Sequence, residues 1–151
     1  MAIATLGKLL DRCQHAEILL ETNCSEIRDR TADNGVRMLT YYLARRRHHQ
    51  KMALGGLDPV MLRRLRKVKL RSAVPIDRTD ELRLPEFSPA SVDGMMLIEA
   101  ALSHDMKLTA LYRSILQQPL KDDVRAVLEK LVLVEERDIG MLKKMRAMHY
   151  F

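Results

Sequence analysis

The chain has 151 residues, of which 47% are hydrophobic and 30% charged, and its net charge is +6. This balance predicts a single globular domain over residues 1–151 that buries one core without disulfide staples. No stretch approaches the ~20 apolar residues of a membrane span, and the N-terminus lacks the pattern of a secretory leader. A cytoplasmic protein without a membrane span is therefore expected.

Ten Met, no Trp, four Tyr and two Phe favour helices over strands. The first helix is predicted from about residue 5 to 30, with Asn34-Gly35 as its C-cap and turn. A second is predicted over about 36–54 and ends at Gly55-Gly56. Cys13 and Cys24 lie on the first helix about 16 Å apart, too far to bridge each other, and are predicted to be reduced core residues.

A long connection over about 55–90 follows, with four of the five prolines. Asp58-Pro59 is typical of a helix start, so a short basic helix is predicted over 59–71. The third long helix is predicted over 91–118, before Pro119, and the fourth from about 121–123 to 149. The chain thus predicts an all-α, antiparallel four-helix bundle of two helical hairpins joined by a long crossover.

Each long helix has an apolar stripe at 3/4 spacing, and polar residues interrupt it near the middle. The interruptions are Glu17 in the first helix, Arg45 and His48 in the second, Asp105 in the third, and Glu135 and Asp138 in the fourth. In the second helix, His49 is an equally good inward candidate. One interpretation is a register that slips by one residue and leaves some of these side chains on a solvated flank. The other is a polar cluster at mid-bundle.

The order of helices, the connection ending "LPEFSPAS", and "EERDIGMLKKM" resemble the ferritin-like, rubrerythrin-like superfamily. In that family, one Glu from each of two helices and Glu-x-x-His from each of the other two bind a di-iron centre. The resemblance matches Glu17 to the first-helix Glu and Glu135 to the fourth-helix Glu. Other positions depart from the pattern. Asp105 stands in place of Glu, Asp138 in place of His, and Arg45 in place of Glu, while "RRRH" keeps only His48.

Arg45 would place a permanent positive charge where the family has a bridging carboxylate. The sequence therefore indicates a vestigial metal site, with Arg45 as the replacement for the metal. Its candidate ligands are Glu17, His48, Asp105, Glu135 and Asp138. The main expectation is no cofactor and a binding or assembly function rather than an enzyme. The alternatives are a residual mononuclear or di-metal site for Fe or Mn with oxidoreductase or metal-handling activity.

The connection also carries six basic residues between 63 and 71, in "RRLRKVKLR". A solvated face explains such a run, and an acidic partner or nucleic acid is the functional alternative. No aromatic residues interleave with these cations, which disfavours stacking on single strands. The ten Met, with Tyr41, Tyr42, Tyr150 and Phe151, offer an adaptable surface, so we expect a homodimer.

Overall fold

A computed structural model of the chain describes residues 5–70 and 84–148, except for the side chains of residues 47 and 48. The described residues form five helices and no strand, apart from one isolated bridge between Thr5 and Lys69. This confirms the predicted all-α class. The helices are α1 (Leu6–Arg30), α2 (Asn34–Gly55), α3 (Pro59–Arg66), α4 (Gly94–Leu116) and α5 (Asp122–Met148). None of them is long and apolar enough to cross a membrane.

Side-chain oxygens cap the first turns of four helices and explain where these helices begin. Asp58 accepts a hydrogen bond from the Met61 amide at 2.8 Å, which confirms the predicted start of α3. Asp93 caps α4 in the same way, so α4 begins at Gly94 and not at the predicted residue 91. Asp33 accepts from two amides, so α2 begins at Asn34, two residues before the predicted start.

Helix α3 is shorter than the predicted 59–71 and ends at Arg66. Tertiary contacts end the helix early, because the chain after Arg66 turns and runs beside the start of α1. The Leu6 amide donates to the Val68 carbonyl at 2.8 Å, and Lys69 pairs with Thr5. Residues 71–83 of the predicted crossover over 55–90, and the predicted helix end at 149, lie outside the described residues.

The closest associations are between α1 and α2 and between α4 and α5, and α2 also contacts both α4 and α5. Two apolar clusters form the core. One joins the first halves of α1 and α5, the second half of α4, and Leu65 of α3. The other joins the second half of α1 with the first halves of α2 and α4 and with Leu142. On each long helix, buried polar residues lie between the parts that enter the two clusters.

The packing of α3 on α1 makes Gly7 a test of this fold. A Cβ atom at Gly7 would lie 2.9 Å from both the Cβ and the carbonyl oxygen of Arg66. We expect Gly7→Ala to lower the free energy of unfolding by roughly 1–3 kcal/mol, because the clash involves the α3 backbone. Chemical denaturation would measure the change.

Gly140→Ala is the matched control, because a Cβ there meets nothing within 4 Å. In the middle of α5 it should raise stability by roughly 0.5–1 kcal/mol, the ordinary effect of Gly→Ala in a helix. Equal stabilisation by both substitutions would show that α3 does not pack against Gly7.

Candidate functional site

Six polar residues that are each at most 8% exposed come together between the two apolar clusters. They are Glu17 of α1, Arg46 of α2, His104 and Asp105 of α4, and Glu135 and Asp138 of α5. We call this group the polar cluster. The structure therefore confirms that the four carboxylates predicted to point inward are buried.

Arg46 and Asp105 form the central contact of the polar cluster. Nη2 of Arg46 donates a hydrogen bond to Oδ1 of Asp105, and the same nitrogen lies 4.0 Å from Oε1 of Glu17. Asp105 is 0% exposed and Arg46 is 4% exposed. Because neither group can reach bulk water, each depends on the other for its neutralisation.

The predicted inward position of Arg45 is wrong, because Arg45 is exposed and Arg46 is the buried arginine. The error is a register of one residue in α2. The stripe that runs through Arg45 at 3/4 spacing also contains Met38 and Met52, which are 70% and 75% exposed. The stripe that faces the core contains Leu39 and Leu43 and continues to Arg46.

His104 also belongs to the polar cluster, although the apolar stripe of α4 did not predict it. Its Nε2 lies 3.6 Å from Oε1 of Glu17, and the residue is 2% exposed. It precedes Asp105 directly, so the two residues project from α4 about 100° apart and the stripe passes through Asp105 alone. The buried face of α4 is wide enough to include both residues, and a stripe at 3/4 spacing does not reveal that width.

His49 lies at the edge of the polar cluster, where its Nδ1 is 2.9 Å from Oδ1 of Asp138. The imidazole is 40% exposed and the carboxylate 5% exposed, so one member of this pair contacts solvent and the other is buried. His49 was the alternative inward residue in the sequence. The side chain of the other candidate, His48, lies outside the described residues.

Tyr112 is fully buried, and its hydroxyl accepts a hydrogen bond from Nε2 of Gln50 at 3.1 Å. Burial raises its pKa well above the usual value, and the proximity of Cys13 and Glu135 adds to the shift. Cys13 and Cys24 are buried and free, as predicted. Burial raises the thiol pKa of both, to about 11 for Cys24. These groups are therefore neutral at physiological pH.

The carboxylates of the polar cluster differ in their ionisation. Burial raises the pKa of Glu135 to about 9, with a further rise from the charge of Asp105, so Glu135 is protonated at neutral pH. Burial also raises the pKa of Asp105, to about 6, against the opposing effect of Arg46, so Asp105 is ionised there. For Arg46, burial alone would lower the pKa. The attraction of Asp105 and the other acids outweighs burial and raises it.

Several buried polar atoms of the polar cluster have no hydrogen bond within the described part of the chain. They are Nε and Nη1 of Arg46, Oδ2 of Asp105 and Oε2 of Glu135. A buried polar atom that finds neither a protein nor a water partner costs about 1–3 kcal/mol, so a bridging water at any of these atoms would stabilise the polar cluster.

No family model, curated protein or solved structure shows significant similarity to this chain.

The ion pair of Arg46 predicts a large difference between two adjacent arginines. Arg46→Ala leaves Asp105 without its cation and should lower the free energy of unfolding by roughly 3–5 kcal/mol, the cost of breaking a buried ion pair. Arg45→Ala, on the exposed face, should change it by about 0.5 kcal/mol or less. Equal effects in urea denaturation would contradict the burial of Arg46.

The raised pKa of Glu135 predicts a specific pH dependence. Between the usual pKa of about 4.5 and the folded value of about 9, the folded chain binds a proton that the unfolded chain has lost. Stability from this group is full below pH 4.5 and declines up to pH 9, by at most about 1.4 kcal/mol per pH unit. Glu135→Gln removes this loss, so its stability relative to wild type should rise between pH 5 and 9.

Denaturation of both proteins at several pH values would measure this difference. Glu136→Gln is the matched control, because it makes the same change on the exposed face of α5, where Glu136 pairs with Arg113. A flat difference for Glu135→Gln, as expected for the control, would show that Glu135 is ionised in the folded protein.

Proposed function

We propose that the protein is a ferritin-like four-helix bundle that has lost its di-iron centre and acts as a binding or assembly module. The packing supports the bundle. Along α1 the chain passes from the first apolar cluster to the second, and along α2 it returns. Helices α4 and α5 repeat this reversal, so each pair has the arrangement of an antiparallel hairpin.

The position of Arg46 is the observation that supports the loss of the metal centre. A di-iron site needs carboxylates around two cations, and here a guanidinium donates to the Asp105 carboxylate in the middle of the acids. Its pKa is raised, so it stays positive. A fixed positive charge at this distance repels a metal ion, and these residues therefore do not fit a di-iron centre.

The charges of the polar cluster also support a core that needs no metal. Arg46 neutralises Asp105, the proton on Glu135 removes a second negative charge, and His49 pairs with Asp138. The guanidinium and the proton thus lower the negative charge that metal cations balance in the family, and the His49 imidazole gives Asp138 a hydrogen-bonding partner. On this proposal, the protein has no redox chemistry of its own at this position.

A residual mononuclear metal site is the second candidate, because Glu17, His104 and Asp105 each offer a ligand atom within 4.8 Å of the others. Two carboxylates and one imidazole suit Mn, Fe or Zn. Metal bound there would serve the alternative function of oxidoreductase or metal handling. The nearby Arg46 guanidinium opposes this candidate, which is why we rank it second.

The metal-free proposal predicts the response of two variants to added ions. Wild type, purified from cells supplied with Fe, Mn and Zn, should contain well under one metal ion per chain by elemental analysis. Arg46→Ala removes the competing cation, so Mn(II) should stabilise this variant by about 2.7 kcal/mol at ~100 times its Kd. Wild type and the matched control Arg45→Ala should show little response in the same thermal scans.

Two tightly bound ions per wild-type chain would overturn the proposal. A single ion that is lost on His104→Ala would instead establish the mononuclear site. If Arg46→Ala is too unstable to purify, Arg46→Met tests the same point, because Met fills most of the volume and carries no charge.

A binding or assembly role is supported by large hydrophobic side chains that are exposed on the described surface. The most exposed are Leu19, Met38, Met52, Val60, Leu133, Met106 and Met148. Exposed Met adapts to partner surfaces of different shape. The homodimer and the cytoplasmic location expected from the sequence stay part of this proposal.

A further inference from the structure

Helix α2 carries a second stripe that faces the solvent, formed by Met38, Tyr41, Arg45 and Met52. Met52 and Met38 are 75% and 70% exposed, the highest values among the large hydrophobic residues of the described chain. The spacing of these four residues is that of a heptad seam, in which the side chains of one helix enter the gaps of another. We call them the outer stripe.

Part of the outer stripe is held in place before any partner binds. The guanidinium of Arg28 lies 3.9 Å from the centre of the Tyr41 ring, and its Nε donates to Oγ1 of Thr40 at 3.2 Å. This contact fixes the tyrosine ring against α1. A side chain that is already ordered loses less entropy on binding, so the cation–π contact favours recognition at this position.

The charge of α2 indicates the kind of partner. Between residues 34 and 55 the chain has five Arg or Lys residues and no Asp or Glu. Arg46 pairs with Asp105 inside the core, whereas Arg45 and Lys51 are exposed and pair with no carboxylate of the described residues. The exposed Arg45 and Lys51 therefore make the described surface around the outer stripe positive.

From these features we infer that the outer stripe docks an acidic amphipathic helix of another protein. The inference rests on the proposed binding function and names the class of partner. Apolar residues of the docking helix would pack between Met38 and Met52, about 21 Å apart along α2. A Glu or Asp near the middle of that helix would pair with Arg45.

Two other occupants fit less well. A second copy of the chain would bring α2 against α2, and in the antiparallel arrangement centred on Arg45 this side chain would meet itself. Like charges at the centre of an interface disfavour association. Nucleic acid would match the positive charge, but its phosphates offer no apolar surface for Met38 and Met52, so the exposed methionines would contribute nothing.

The probe for the test is a labelled synthetic peptide of about 21 residues, with Leu at heptad positions a and d and Glu at e and g. We expect it to bind full-length wild-type protein in a fluorescence anisotropy titration. The double variant Met38→Gln and Met52→Gln should weaken binding roughly tenfold or more, because both anchors are lost. Arg45→Glu should weaken it further and reduce its dependence on salt.

The matched control is the double variant Met106→Gln and Met141→Gln, which removes two exposed methionines from α4 and α5. It should bind the peptide like wild type. Wild-type protein gives a second readout without substitution, because bound peptide should slow peroxide oxidation of Met38 and Met52 and leave Met106 and Met141 unchanged. All variants are at exposed positions, and thermal unfolding would verify their folding.

Several results would overturn the inference. These are no measurable binding of the peptide, equal loss in both double variants, or equal binding of a peptide with Lys in place of Glu. Tighter binding of duplex DNA that is insensitive to the methionine substitutions would assign the surface to nucleic acid. A dimer in light scattering that Met38→Gln and Met52→Gln dissociates would assign it to a second copy. Metal analysis of wild type does not involve the outer stripe, so a failure here is distinguishable from a failure of the proposed function.

Discussion

The buried ion pair between Arg46 and Asp105 is the constraint on which the rest of this structure depends. A charged pair of this kind contributes little net stability compared with two apolar side chains, but either partner alone in the core is very unfavourable. The pair therefore fixes the register of α2 against α4, because a shift by one residue would expose Arg46 and bury Arg45. The apolar clusters on either side, with Leu39 and Leu43 on the α2 face, are compatible with that register alone.

The polar cluster also explains the division of the core. Buried leucines and isoleucines fill the space on both sides, and the acids, the guanidinium and His104 occupy the level between them. A protonated Glu135 and a paired Asp105 keep the net charge low enough for this level to stay buried. In the proposed function, this low net charge makes a bound metal unnecessary. The protein would then bind its partners through the outer surface of the helices.

Helix α2 has two roles on opposite faces. Its inner face carries Arg46 into the polar cluster, and its outer face presents Met38, Tyr41 and Met52 to the solvent. The contact of Arg28 with Tyr41 connects the outer face to α1, so the two helices of this pair position both surfaces. A buried Arg46 paired with Asp105 and an exposed Arg45 that pairs with no carboxylate of the described residues are compatible on one helix, because about 100° separates adjacent residues.

The sequence by itself determined the all-α class, the approximate extents of the long helices and the inward direction of Glu17, Asp105, Glu135 and Asp138. Periodicity is enough for these, since acids within a leucine stripe follow the leucines into the core. It was not enough for α2, where both stripes have heptad spacing and three consecutive arginines offer three registers. Only tertiary packing selected Arg46, because its side chain meets Asp105 and Glu17 on other helices, whereas Arg45 is exposed. The early end of α3 and the burial of His104 were likewise decided by neighbouring helices, whose contacts no local pattern contains.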